Sequence, residues 1–167
     1  KVKSFHLNLT TSQTPLPGQF MMVWLPGGEE VPMSISDVDG DNVRISIAKA
    51  GQTTTVLHKL RKGDTLFTRG PFGNNFSLDA DSYLLVGGGY GAAPLIYAGK
   101  LISKSGKRGV YLVGAKNSSE LLFVKEAQRR GMKVYAATED GSAGHRELVT
   151  DLLGQLLKEE RFSSILT

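Results

Sequence analysis

The stretch that decides the fold is "YLLVGGGYGAAP", residues 83–94. An apolar run ends in four glycines within five positions, and a proline follows. The run reads as a buried strand, so the glycines fall at its end. Glycine there has two readings: a flexible loop, or a turn that brings its backbone against a phosphate. Gly87, Gly89 and Ala92 fit the spacing G-x-G-x-x-A. In that pattern glycine permits a tight turn, and the helix behind it offers its first amides to a pyrophosphate. The spacing alone is weak. Pro94 falls where the helix begins, and the next strand ends in "VGAK", without an acid to hold a ribose.

On the C-terminal side, "YLLVGG", "GVYLVGA", "KVYAAT" and "SSILT" are unbroken apolar runs, as in a sheet covered on both faces. Between them lie the helical stretches "APLIYAGKLISKS", "SSELLFVKEAQRRG" and "HRELVTDLLGQLLKEE". Ser118 is the expected N-cap of the second and Gly131 its terminator. Strand and helix in alternation argue for a parallel sheet, with the glycine turn at its ligand edge. On the N-terminal side the period changes. "KVKSFHLNLT", "QFMMVWLP", "NVRISIAKA" and "DTLFTRG" read as short strands between turn signals, with Val43, Ile45 and Ile47 on one face. That spacing suits a small antiparallel barrel or sandwich. The expected division is 1–80 and 81–167.

Composition narrows the function. The chain has 167 residues, 40% hydrophobic and 22% charged, an ordinary balance for folded domains. No apolar run approaches the roughly 20 residues of a membrane span, and no signal-peptide pattern opens the chain. Cysteine is absent, which excludes disulfides and thiolate-held iron–sulfur clusters within these residues and fits a reducing cytoplasm. The net charge is +4 and the pI about 9.3. Yet the cations sit in short separate clusters (Lys59, Arg61 and Lys62; Lys104, Lys107 and Arg108; Arg129 and Arg130) without interleaved aromatics. They read as solvated surface, not as a nucleic-acid platform. His6, His58 and His145 have no metal-ligand spacing, so no metal site is expected; His58 is placed near bound phosphates.

Four segments in order carry a resemblance: "VPMSIS" at 31–36, "AGQTTTVL" at 50–57, "RGPFGNNF" at 69–76 and "VGGGYGAAP" at 86–94. Together they resemble the ferredoxin–NADP reductase superfamily, in which a barrel holds a flavin and a following α/β domain holds a nicotinamide nucleotide. The proline after the glycines is the usual form there. More narrowly, the chain is similar to electron-transfer subunits of dihydroorotate dehydrogenase in their archaeal form; "EDGSAGHRELVTDLL" at 139–153 resembles their "DDGS-x-G" segment. The resemblance implies an antiparallel Greek-key β-barrel followed by a parallel α/β domain. It also implies an oxidoreductase using FAD and NAD(P)H, serving a catalytic dehydrogenase subunit of pyrimidine biosynthesis in a hetero-oligomer. Subunits serving hydrogenases or other redox enzymes share these motifs. The chain starts at Lys1 and stops after "FSSILT", so a [2Fe-2S] cluster is expected only in a longer parent chain.

The implied site can be carried over residue by residue. The superfamily's flavin motif, Arg-x-Tyr-Ser, falls on Val31, Pro32, Met33 and Ser34, and only the serine is unchanged. Ser34 is the implied catalytic residue, facing the flavin N5. Val31 cannot make the bidentate phosphate contact of an arginine. Met33 can pack on a flat ring through its sulfur. Ala48, Lys49 and Ala50 match the segment beside the flavin; Gly51, Thr53 and Thr54 match the phosphate segment, ahead of an expected one-turn helix "VLHKL". Arg69, before Gly70 and Pro71, either takes the vacant cationic role or forms a surface salt bridge. Gly88, Gly89, Gly91 and Pro94, with Glu139, Asp140 and Gly141, line the implied nicotinamide crevice. The alternative, favoured by Val31 and Met33, is a non-catalytic nucleotide-binding module that has lost its flavin.

Overall fold

The structure, a computed structural model, describes residues 1–9 and 13–167; Thr10, at the end of the first expected strand, lies outside them. The chain forms two units, Lys1–Asn75 and Phe76–Thr167. The division falls before residue 80 because Phe76, Leu78 and Ala80 pack on the core of the second unit.

In the first unit β1 (Val2–Asn8), β2 (Phe20–Trp24), β3 (Val31–Asp39), β4 (Asn42–Ala48) and β5 (Phe67–Phe72) make one antiparallel sheet. Its order, β1–β4–β3–β2–β5, lays the first strand beside the last of three hairpin-connected ones, a barrel-like Greek-key arrangement. Register shifts on β3 between Ile35 and Asp37, and on β5 between Arg69 and Phe72 opposite Met22 and Phe20, bend the sheet. Val43, Ile45 and Ile47 are buried together, as their alternation requires, with Met21, Val23 and Ile35.

Among the described residues one helix interrupts this unit, α1 (Gln52–Leu57). The threonines therefore lie inside the helix and not ahead of it. The Thr54 hydroxyl accepts from Ala50 N (3.0 Å) and Gly51 N (2.9 Å), which fixes the helix start before "VLHKL". At the other end Lys3 Nζ donates to the carbonyls of His58 and Leu60, and Leu57 is fully buried.

The second unit has β6 (Ser82–Gly88), β7 (Arg108–Ala115), β8 (Lys133–Thr138) and β9 (Ser164–Leu166), all parallel, in the order β8–β7–β6–β9. Side chains alternate between two cores. Tyr83, Leu85, Tyr111 and Val113 face α2 (Ala92–Lys104), while Leu84, Val110 and Leu112 face α4 (Val149–Glu159) through Leu152 and Leu156. Both faces are covered, which is why these strands read as unbroken apolar runs.

Two helix expectations need correction. The stretch 118–131 is broken into a single 3-10 turn, Ser118–Glu120, and α3 (Val124–Arg129). Leu121, Leu122 and Phe123 between them all pack on the core. Three consecutive residues cannot face one side of a helix, so the chain extends and Phe123 turns into the left-handed region at φ 60°. Asn117 is the cap, accepting from Ser119 N, in place of Ser118. Gly131, at φ 79°, does end α3. The third helix starts only at Val149, because His145 first returns to pair with Ala137 as a parallel bridge.

Candidate functional site

In the second unit the strand order reverses at β6: β7 and β8 lie on one side of it and β9 on the other. Open α/β sheets bind ligands outside the carboxyl end of the strand where this happens. The turn Gly89–Gly91 occupies that position, directly ahead of α2. Its glycines answer different demands. A Cβ at Gly87 would meet Ala92 Cα at 3.0 Å, so packing explains that glycine. Gly89 has φ +50°, so conformation explains it. Gly88 (φ −115°) and Gly91 (φ −61°) have ordinary backbone angles and nothing within 4 Å of an added Cβ. The open space in front of them is what a close-approaching ligand needs. Pro94 sits in the first turn of α2, where its missing N–H costs no helical bond.

The loops after β7 and β8 share this edge. Glu139 N donates to Ala115 O and Asp140 N to Lys116 O, both at 3.2 Å, so the ladder continues past the strands. Asp140 is spent on its own turn: Oδ1 accepts from Ser142 N (2.9 Å) and Ser142 Oγ (2.6 Å). The hydrogen bonds from Ser142 hold its carboxyl below the ordinary value. Gly141, at φ +75°, lets that turn close. Glu139 and Lys116 are exposed and have no side-chain partner among the described residues. Lys116 was not among the expected site residues. Its signal was its place after the second strand, in "VGAK".

In the first unit Ser34 and Met33, both half-buried, pair across β2 with Phe20 and Met21, and Val31 pairs with Val23. Pro32, opposite Met22, is exposed. The Ser34 hydroxyl has no hydrogen-bond partner among the described residues. Arg69 forms a surface salt bridge, one of its two expected places. It grips the Glu30 carboxylate with Nε at 2.5 Å and a second guanidinium nitrogen at 2.6 Å, and lies over the Phe72 ring. That hydrogen bond holds the Glu30 carboxyl below its usual value. Gly70, at φ +127° and tight against Phe20 O, and cis-linked Pro71 shape the strand itself.

The phosphate segment is redistributed too. Thr54 Oγ1 also donates to Gly51 O, so its hydroxyl is used up in the turn together with the Ala50 and Gly51 amides. Thr53 instead lines a cleft of about 370 Å³ between the 25–29 turn and the start of α1. Between Ala48, which ends β4, and that helix stands Lys49, exposed and without an ion-pair partner among the described residues. His58 is not placed toward a phosphate: its Nε2 pairs with Ile47 O at 2.8 Å and its ring meets Phe5 edge-on. Ser34, Met33, Thr53 and Lys49 thus remain available and fit a flavin with a phosphate arm. No cluster of three potential metal ligands occurs among the described residues, and no helix there is long and apolar enough to cross a membrane.

Comparison with known proteins bears on both units. No family model matches the chain. A probable electron transfer subunit of dihydroorotate dehydrogenase B (NAD(+)) from Methanocaldococcus jannaschii is 38% identical over 151 residues, 90% of this chain and 57% of the relative. The subunit of the same name from Pyrococcus furiosus is 38% identical over 154 residues, 91% of this chain and 58% of the relative. A solved NADH-dependent reduced ferredoxin–NADP oxidoreductase matches 98% of the chain and 61% of its own at a TM-score of 0.87 and 29% identity. In sequence and fold the chain is similar to ferredoxin–NADP reductase-like proteins. At 20% identity and a TM-score of 0.77, the FAD/NAD binding domain of a Vibrio cholerae nitric oxide dioxygenase shares the superfamily's fold. The chain spans about three-fifths of the length of these archaeal relatives.

Proposed function

We propose that this chain is an oxidoreductase module that carries electrons between NAD(P)H and a catalytic dehydrogenase subunit through FAD, with dihydroorotate dehydrogenase as the foremost partner. The observation that carries the reading is a 38% identical match running through both units to subunits whose names specify NAD(+) and electron transfer. When bound, the two cofactors supply hydride exchange and onward electron transfer. The chain's part is to hold and orient them. Ser34 offers a free hydroxyl to the flavin ring, Met33 a polarizable surface, and Lys49 with Thr53 a cation and a hydroxyl for its phosphates. Gly88 and Gly91 let a pyrophosphate reach the backbone, Lys116 adds positive charge, and Glu139 accepts from ribose hydroxyls.

A second reading has its own support, since Val31 replaces the motif arginine and Arg69 is tied to Glu30. It is a nucleotide-binding module without flavin. Anaerobic titration of the purified chain with FAD separates the two. The first reading expects stoichiometric uptake, visible as flavin absorbance that NADH or NADPH then bleaches. A colourless chain that takes up no flavin but binds nicotinamide nucleotide establishes the second.

A further inference from the structure

Two short cation clusters that read as solvated surface in the sequence are brought together by the fold. β7 begins at Arg108 and β8 at Lys133, and the two strands are parallel neighbours. Lys107, Arg108, Arg130 and Lys133 therefore gather at the amino edge of this sheet. They line a cleft of about 360 Å³ together with Ser103 and three glycines, and no carboxylate belongs to the lining. The glycines have structural reasons. Gly106 and Gly131 have φ +71° and +79°, and a Cβ at Gly109 would meet Ile102 and Met132 at 3.3 Å. The cations lack such a reason. Two helices, α2 and α3, end at this edge, and cations can serve to meet their last carbonyls. Here backbone amides already do so: Ser105 N donates to Leu101 O, Lys107 N to Ile102 O, and Gly131 N to Gln128 O. Arg130 is neutralised by Glu126 at 2.6 Å and donates to Ile96 O, which makes it a fixed wall. Lys107 donates to the uncharged Leu78 carbonyl, while Arg108 and Lys133 share a single carboxylate, Glu160. Three cations thus stand against one carboxylate, and two positive charges are left over. Arg108 and Lys133 are 49% and 59% exposed, so a ligand can reach them.

We propose that this cleft binds a small phosphorylated molecule, its phosphate monoester held by Lys107, Arg108 and Lys133. Such a group carries about −1.5 to −2 charges at pH 7 and three acceptor oxygens, which matches the charge left over and the number of cations. A single carboxylate would leave half of that charge unmet. The volume is near the lower end for small-molecule sites and suits a phosphate on a body of a few heavy atoms. Glu160 stands outside the lining and holds the Arg108 and Lys133 heads in place. The site is separate from the glycine turn after β6. β7 runs for eight residues between the two edges of the sheet, roughly 25 Å at about 3.3 Å per residue. The proposal therefore stands apart from the flavin and nicotinamide reading. Exposed cations each add little in water, so the affinity for phosphate alone is expected on the order of 1 mM.

The test is titration of the isotope-labelled full chain with inorganic phosphate and with glycerol phosphate at fixed ionic strength, followed by amide shifts, with chloride as control. The expected result is saturable shifts at Gly106, Gly109 and Gly131, absent with chloride, and glycerol phosphate bound at least about threefold tighter than inorganic phosphate. Lys133→Gln should weaken both ligands about fivefold, and adding Lys107→Gln should abolish saturation, with NADH binding unchanged in each. Lys133 is an exposed side chain, so that single variant keeps the test open if the double variant fails to fold. Equal drift with phosphate and chloride overturns the proposal and leaves the cations as solvated surface. Shifts that appear first at Gly88 and Gly91 overturn it too, since phosphate then prefers the other edge of the sheet. Equal affinity for the two phosphates removes the phosphorylated body and leaves a site for the free ion. Saturation by hexaglutamate but not by either phosphate makes the cleft a contact for an acidic protein, and the proposal falls.

Discussion

The two units present their candidate sites in different materials. In the second, the candidate ligand edge is made of backbone: Gly88 and Gly91 have no packing or conformational need to be glycine, and their open faces are the proposed site. In the first, the edge is made of side chains, and those have been exchanged. Val31 stands where an arginine is expected, Arg69 is committed to Glu30, and Thr54 to its own turn. A backbone site tolerates drift around it provided the glycines stay. A side-chain site can keep its strand and turn while its ligands move to neighbours, and the neighbours proposed above are Lys49 and Thr53.

The sharpest way to break this contrast is to compare glycines that serve packing with glycines that do not. Gly144 has φ +66°, and a Cβ there would lie 2.0 Å from Ala136 O. Gly144→Ala should cost more than about 3 kcal/mol, seen as a large fall in the denaturation midpoint. Gly88→Val should leave the melting temperature nearly unchanged and weaken NADH binding by at least about tenfold, measured by calorimetry, since only a ligand occupies that space. A Gly88→Val chain that melts early would mean that the turn serves packing, and the contrast between the units would vanish.

How much of this was legible follows from the same distinction. The switch from period-two strands to unbroken apolar runs marked both sheets, because one unit buries alternate residues and the other buries both faces. Val43, Ile45 and Ile47 lie where their spacing puts them. The break in 118–131 was not legible, since Leu121, Leu122 and Phe123 are as apolar as a helix face and only the shape of the core demands that all three reach it. Nor was the fate of Arg69. Its partner lies 39 positions away, and nothing local announces that β2 and its neighbours bring Glu30 beside it. Lys116 was visible as a letter but had no motif to mark it.

Smaller effects sharpen the side-chain half. Ser34→Ala should slow flavin reduction by NADH about tenfold in stopped flow while changing flavin affinity less, as its free hydroxyl serves orientation. Arg69→Ala should leave flavin affinity within about twofold, because the guanidinium is occupied by Glu30 at an exposed site where such pairs count for little. Lost flavin binding in that variant would return Arg69 to the cationic role. Smallest is an acid effect at the starts of β7 and β8. Glu160 is held below its ordinary 4.5 first by the hydrogen bond from Lys133, then by Tyr135. A depressed carboxylate stabilises the fold above its unfolded value, and that contribution is lost as pH falls through the folded value. Thermal melts of the chain should therefore drop as pH falls below about 4.5, and Glu160→Gln should flatten that part of the curve.

The link from Ser118 N to Ser142 Oγ, at 2.7 Å, joins the loop after β7 to the loop after β8. With Asp140 clasping Ser142 and the ladder running on through Ala115 and Lys116, the two loops have few independent degrees of freedom. On the proposed reading, a nucleotide arriving at this edge meets a jaw already set to one opening, and little disorder remains to be lost on contact. Ser142→Ala should uncouple the jaw. Amide exchange would then quicken in both loops at once, and nucleotide binding would become less favourable in entropy with its contacts unchanged.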